Sequence, residues 1–355
     1  MGDNSSKKIT SLLALIPILI SMGVVVIGDQ EFEPLNKDPD VTPENDDWLY
    51  ITYLSFEYPG DSTLIKFPNG KVILIDGGER FKSPVQTIKS VLSEKAIKTI
   101  DLMMLTHGDS DHVGGLNNLL KDEYWKDNIS EVWTSAYGHH TSKTYNSFFD
   151  NIRTNSIPQH NVTSTIPSAL ENILDSFEAE GMEIEIIGPP DIPIPSSSKH
   201  ADTKNSNSLI TKIAYGDISI LFPGDTTWTT EQWLSEDELD IDVDILSAPH
   251  HGSKYASGWD ADESYNPTFI EDTSPRVVIY SVDPSEDQSE NSNERRLAEH
   301  NKHGHPHTDT QNRWSDYDSD IKQLRTSWEG HITIRTNGID CFIQSKTNSD
   351  EQSCW

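Results

Sequence analysis

Thr106-His107-Gly108-Asp109-Ser110-Asp111-His112-Val113-Gly114-Gly115 places two histidines and two aspartates within six consecutive residues, directly after the run 100–105, apolar but for Asp101. An imidazole or carboxylate withdrawn from water is costly unless a partner compensates it, and His with Asp at a strand end offers nitrogen and oxygen donors to divalent cations. A polar turn that merely ends a strand uses the same residue types, so the weight falls on what lies elsewhere in the chain. Leu221-Phe222-Pro223-Gly224-Asp225 brings a carboxylate to the end of another apolar stretch, where it can bridge two cations. Asp244-Ile245-Leu246-Ser247-Ala248-Pro249 runs into His250-His251-Gly252-Ser253. Adjacent side chains diverge, so one of these two imidazoles is expected to bind metal while the other contacts substrate or supports a ligand. Three strand ends finishing in Asp or His predict one hydrolytic metal site.

Around these strand ends the chain reads as one domain, 48–345, of the α/β class. Residues 48–56 and 62–67 have the aromatic and β-branched content of strands, and Asn69-Gly70 predicts a hairpin into 71–75. Residues 101–106 form the short apolar run of a buried strand, and further strands are read near 183–187, 208–214, 218–222, 243–246 and 277–280. Helical spacing appears at 85–96 and 113–120. Hairpins with interleaved helices predict two sheets between helical layers, a four-layer αββα sandwich. Trp133, Trp228 and Trp233 are assigned to the core, and the histidine-rich stretch 300–307 to a polar loop at the substrate mouth.

The hydrophobic fraction of 34% in 355 residues suits a globular protein. Behind Lys7 and Lys8, residues 11–28 carry no charge, which predicts that 1–28 is a signal peptide or membrane anchor and that the rest lies outside the cytoplasm, periplasmic or secreted. Residues 29–47, acidic and holding Pro34, Pro39 and Pro43, read as a linker, and 346–355 as a C-terminal tail. Cys341 and Cys354 are available for a disulfide in such a compartment. Fifty-eight Asp and Glu against 27 Lys and Arg give a net charge of −31, which argues against nucleic acid as an easy partner, because phosphate contacts come from basic clusters.

At this point the motifs resemble those of a metallo-β-lactamase-fold hydrolase, and most of all the extracytoplasmic hydrolase domain of ComEC-type competence DNA-uptake proteins. The opening turn is matched by Gly60-Asp61-Ser62 and the following strand end by Leu74-Ile75-Asp76-Gly77-Gly78. The signature corresponds to His107, Asp109, Asp111, His112, Gly114 and Gly115, with Asp109 standing where the commoner form has His. Asn205-Ser206-Asn207-Ser208-Leu209, Gly224-Asp225, His250 to Ser253 and Gly304-His305-Pro306 match later motifs, so the likeness runs from about 48 to 343. The channel-forming membrane region of the uptake proteins has no counterpart here.

The resemblance implies two divalent ions, zinc or, given the oxygen-rich set, manganese, held by His107, Asp109, Asp111, His112, Asp225 and His250 or His251. Such ions lower the pKa of a bound water from ~15.7 towards ~7. Asp111 is expected to orient that water as well as to ligate, and His305 to contact a substrate oxygen or protonate the leaving group. His139 and His140 are candidates for a further imidazole. The expected activity is hydrolysis of a phosphodiester, nucleic acid included. A lactam or ester hydrolase and a silent binding module are the alternatives, the former opposed by Asp109.

Overall fold

Apolar side chains on both sides of the central strands require cover on both sides, and the chain supplies it twice. The computed structural model describes residues 47–195, 203–258, 266–283 and 304–355. Residues 1–28 and 29–46, and with them the signal or anchor and nearly all of the linker, lie outside the described residues.

One sheet holds nine strands: β1 (Leu49–Tyr53), β2 (Thr63–Lys66), β3 (Val72–Ile75), β4 (Leu102–Leu105), β5 (Val132–Ser135) and β6 (Gln159–Val162) on one side, and three strands from the C-terminal end on the other. The second sheet uses β7 (Met182–Gly188), β8 (Ile210–Tyr215), β9 (Ile218–Phe222), β10 (Ile245–Ser247), β11 (Val277–Tyr280) and β12 (Lys322–Arg325), in the order β12-β11-β10-β9-β8-β7. The chain then returns to the first sheet as β13 (Ile332–Thr336), β14 (Cys341–Ser345) and β15 (Gln352–Ser353). The first sheet's order is β15-β14-β13-β1-β2-β3-β4-β5-β6. Antiparallel pairing joins β1 to both β2 and β13, whereas β3 to β6 run parallel.

Alternation within each strand sorts the core into layers. Ile73 and Ile75 of β3 and Leu102 and Met104 of β4 point between the sheets, where they meet Ile213, Ile220, Phe222, Ile245 and Val277. Leu74, Met103 and Leu105 point the other way, onto Val85, Ile88, Val113, Leu116 and Phe148 of the helices Lys82–Glu94, Ser110–Leu119 and Lys143–Thr154. On the far side Leu221, Leu246 and Val278 meet Leu234, Phe269, Ile270 and Trp314 of the second helical layer. The result is the expected αββα sandwich. Trp133 and Trp228 are buried and Trp233 is partly buried against that outer layer. The last residues, read as a tail, return to the sheet: β15 pairs with β14, and Cys341 and Cys354 form a disulfide. Among the described residues no helix is long and apolar enough to cross a membrane.

Candidate metal centre

β4 delivers the first donors. The helix that follows starts at Ser110, three residues earlier than its apolar spacing suggests, because polar residues fill its cap and first turn. Asp109 stands at the N-cap with extended backbone and no capping hydrogen bond; its carboxylate accepts instead from Lys204 Nζ at 2.7 Å. Asp111 lies in the first turn, where the helix dipole favours negative charge.

Backbone-to-backbone contact fixes this helix. Gly77 N–H donates to the His112 carbonyl at 2.8 Å, and Gly115 N–H donates to that of Gly78 at 3.0 Å. A Cβ on Gly115 would lie 1.9 Å from the Gly77 oxygen, so only glycine permits the approach. The same approach lays Asp76 beside His112, whose Nδ1 donates to Asp76 Oδ2 at 2.8 Å. The Thr106 N–H and Oγ1 hold that carboxylate at 2.9 and 2.6 Å. With Nδ1–H committed, His112 turns Nε2 into the site.

His251 is oriented by a different partner, the Ser281 carbonyl, which accepts from Nδ1 at 2.9 Å. Both His250 and His251 have left-handed backbone, with φ of 48° and 55°, a conformation rare outside glycine. Neighbouring loops hold it: His250 N–H donates to the Gly224 carbonyl at 3.1 Å, and the Gly252 carbonyl accepts from His307 N–H at 2.9 Å.

Asp225 is where the elements converge. Its Oδ1 lies 3.2 Å from His112 Nε2 and 3.5 Å from His251 Nε2, and its Oδ2 lies 3.5 Å from His107 Nε2 and 3.7 Å from His250 Nε2. The Ser208 hydroxyl supports the loop by accepting from Asp225 N–H at 3.2 Å. His251 Nε2 is also 3.5 Å from Asp111 Oδ2. One donor atom each from Asp61, His112, Asp225 and His251 falls within 4.8 Å of the others. His107 Nε2, His112 Nε2, His251 Nε2 and Asp225 Oδ1 are buried and make no hydrogen bond. Polar atoms persist in that condition only where something compensates them, and a divalent cation is the partner that a mixed imidazole and carboxylate set fits.

The electrostatics are poised accordingly. Burial opposes the charge on Asp225, yet His112, His251, His250 and His107 hold its carboxyl well below the usual range. Burial likewise opposes Asp111, and His112 and His251 pull it down to about 2. For His112 and His251, burial disfavours the cation, but Asp225 together with Asp76 or Asp61 raises both well above the ordinary imidazole value. His250 and His305 are lowered, chiefly by burial.

Every metal candidate read from the sequence, His107, Asp109, Asp111, His112, Asp225, His250 and His251, lies in this cluster. Both members of the His250-His251 pair face Asp225, where divergence was expected. His305 is buried, its ring 5.6 Å from that of His250 and 6.0 Å from that of His251, so 304–307 packs on the site instead of forming a solvated loop. His300 and His303 fall outside the described residues. His140 Nε2 reaches to 3.6 Å from Asp109 Oδ1, whereas His139 Nδ1 pairs with Tyr145 Oη at 2.8 Å. Asp61, Asp76 and Lys204 were not read as parts of the site. The first two were matched to family motifs, in Gly60-Asp61-Ser62 and Leu74-Ile75-Asp76-Gly77-Gly78, without a role at the site.

Fold and cluster together define a metal-dependent hydrolase. The chain belongs to the metallo-beta-lactamase superfamily, which it matches over residues 56–266. It is 24% identical over 296 residues to ComE operon protein 3 of Bacillus subtilis (strain 168), an alignment covering 78% of this chain and 32% of that protein, so the chain spans about a third of the relative's length. Similar solved structures include the metallo-beta-lactamase fold protein YhfI from Bacillus subtilis, at 9% identity over 82% of this chain and 100% of that one with a TM-score of 0.46. A long form RNase Z from yeast is 15% identical over 68% of this chain and 38% of its own, with a TM-score of 0.39.

Proposed function

We propose that this chain is an extracytoplasmic phosphodiesterase. The observation that carries the reading is the convergence of buried imidazole nitrogens without hydrogen bonds on the Asp225 carboxylate, with Asp109 and Asp111 making the donor set rich in oxygen. A divalent ion bound there, zinc or manganese, supplies Lewis acidity towards a phosphoryl oxygen and acidifies a water.

The chain's own groups do the rest. Asp225 holds the imidazoles of the two sheets on one point. Asp111, facing His251 and partly open to solvent, is placed to accept a proton from the attacking water. His305, packed beside His250 and His251, is placed to donate a hydrogen bond to a substrate oxygen. The Cys341–Cys354 disulfide and the uncharged run 11–28 support a location outside the cytoplasm. The resemblance of the motifs to the hydrolase domain of ComEC-type DNA-uptake proteins favours nucleic acid as substrate; the net charge of −31 favours a small phosphodiester.

Metal-loaded protein offered bis-p-nitrophenyl phosphate, single-stranded DNA and nitrocefin should cleave a phosphodiester and spare nitrocefin, and Asp111→Asn should abolish that turnover. Nitrocefin cleavage alone would move the protein to lactam chemistry. No cleavage of any of the three with zinc or manganese would favour a binding module.

A further inference from the structure

The two sides of the centre are unequal. On one side, His112 Nε2 and His251 Nε2 approach Asp225 with Asp61 nearby, and those four residues make up the compact donor set. On the other, His107 Nε2 lies 3.5 Å from Asp109 Oδ2, and Lys204 Nζ lies 2.7 Å from that same oxygen. A cation shared by His107 and Asp109 must therefore compete with an ammonium group for the oxygen between them.

Lys204 is not a loose surface side chain. It comes from the short helix Thr203–Ser206, and its Nζ also lies 3.3 Å from Asn205 Oδ1. The segment is tied down on several sides. Asn207 Nδ2 donates to the Thr203 carbonyl at 2.6 Å, Thr230 Oγ1 donates to that of Ser206 at 2.7 Å, and Ser135 Oγ donates to that of Asn207 at 2.5 Å. The Lys204 and Asp109 side chains are 18% and 23% exposed, so their attraction is only partly screened by solvent.

We propose that Lys204 is a built-in cation at the His107–Asp109 side of the centre. One divalent ion is held by His112, Asp225 and His251, and a second enters only when the ammonium leaves Asp109. Lys204 then supplies the positive charge that a second ion would otherwise bring towards a phosphoryl oxygen. The inference rests on reading the cluster as a metal centre and replaces the expected ion pair with one ion and one lysine.

The test is metal stoichiometry, independent of turnover. The full chain, stripped with chelator, is titrated with Mn2+ alone by calorimetry, and the metal retained after gel filtration is counted by elemental analysis. The wild type should retain one equivalent. Lys204→Gln should retain two, with the second binding step tightened roughly tenfold or more, and Lys204→Arg should behave as the wild type. Two equivalents in the wild type, or a Lys204→Gln profile identical to it, overturns the proposal and leaves the phosphodiesterase reading standing. No retained metal in the wild type removes the centre itself, and both readings with it.

Discussion

Two loops carry most of the donors, and they are built on opposite plans. The 106–115 loop is local: strand, loop and helix follow without interruption, ligands are adjacent in sequence, and glycines let the helix press its backbone against 76–78. The 247–253 tip is not. Its two histidines sit in a backbone conformation that their own residue type disfavours, held there by Gly224, Ser281 and His307 from distant segments. The first loop brings its geometry with it; the second receives its geometry from the fold.

Substitution can break that contrast. Gly115→Ala attacks the self-built loop at its tightest point, 1.9 Å from the Gly77 oxygen, and should cost about 3 kcal/mol or more of stability, seen as a lowered Tm together with weaker metal binding. Should the variant keep both, the helix would not depend on that contact. Asp76→Asn is milder. It weakens the acceptor for His112 Nδ1, so metal affinity should fall ~10–100-fold by calorimetry, with Tm of the metal-free protein lowered less than by Gly115→Ala. His251 offers a weaker target of this kind, because its Nδ1 donates to the Ser281 backbone and Asp61 Oδ1 lies farther off at 3.6 Å.

The smallest effect sharpens the account of the tip. Glu231 accepts from the Ser257 and Gly258 N–H groups at 2.6 and 3.0 Å and thereby anchors the loop that follows the histidines. Burial pushes its carboxyl up to about 7 from the ordinary 4.5. A folded value above the unfolded one means protonation favours the fold: this contribution is complete below about pH 4.5 and is lost as pH rises to 7 and beyond. Tm measured across that window should drop with pH more in the wild type than in Glu231→Gln; parallel curves would show that Glu231 titrates alike in both states.

This contrast also explains what the sequence disclosed. The 106–115 cluster and the strands β2, β3, β4 and β9 were legible because their signal is contiguous. Asp225 and the His250-His251 pair stood out because each ends an apolar strand. Asp61, Asp76 and Lys204 did not, since an aspartate in a turn or a lysine on a short helix carries no mark of a partner 36 to 190 residues away. β6, as Gln159-His160-Asn161-Val162, and β12, as Lys322-Gln323-Leu324-Arg325, escaped notice because edge strands only partly buried lack the apolar alternation that betrays a central one. β15 depends on a disulfide that two cysteines permit without requiring.

The seating of β1 between β2 and β13 reaches into biosynthesis. The strand that opens the domain has one hydrogen-bonding edge filled, among the described residues, by Ile332–Thr336, made long after it. Until then that edge is bare, an invitation to pair with the wrong chain. C-terminal truncations ahead of Ile332 should therefore yield aggregates in place of a smaller enzyme, and a nascent chain would profit from being kept unfolded until β13 arrives.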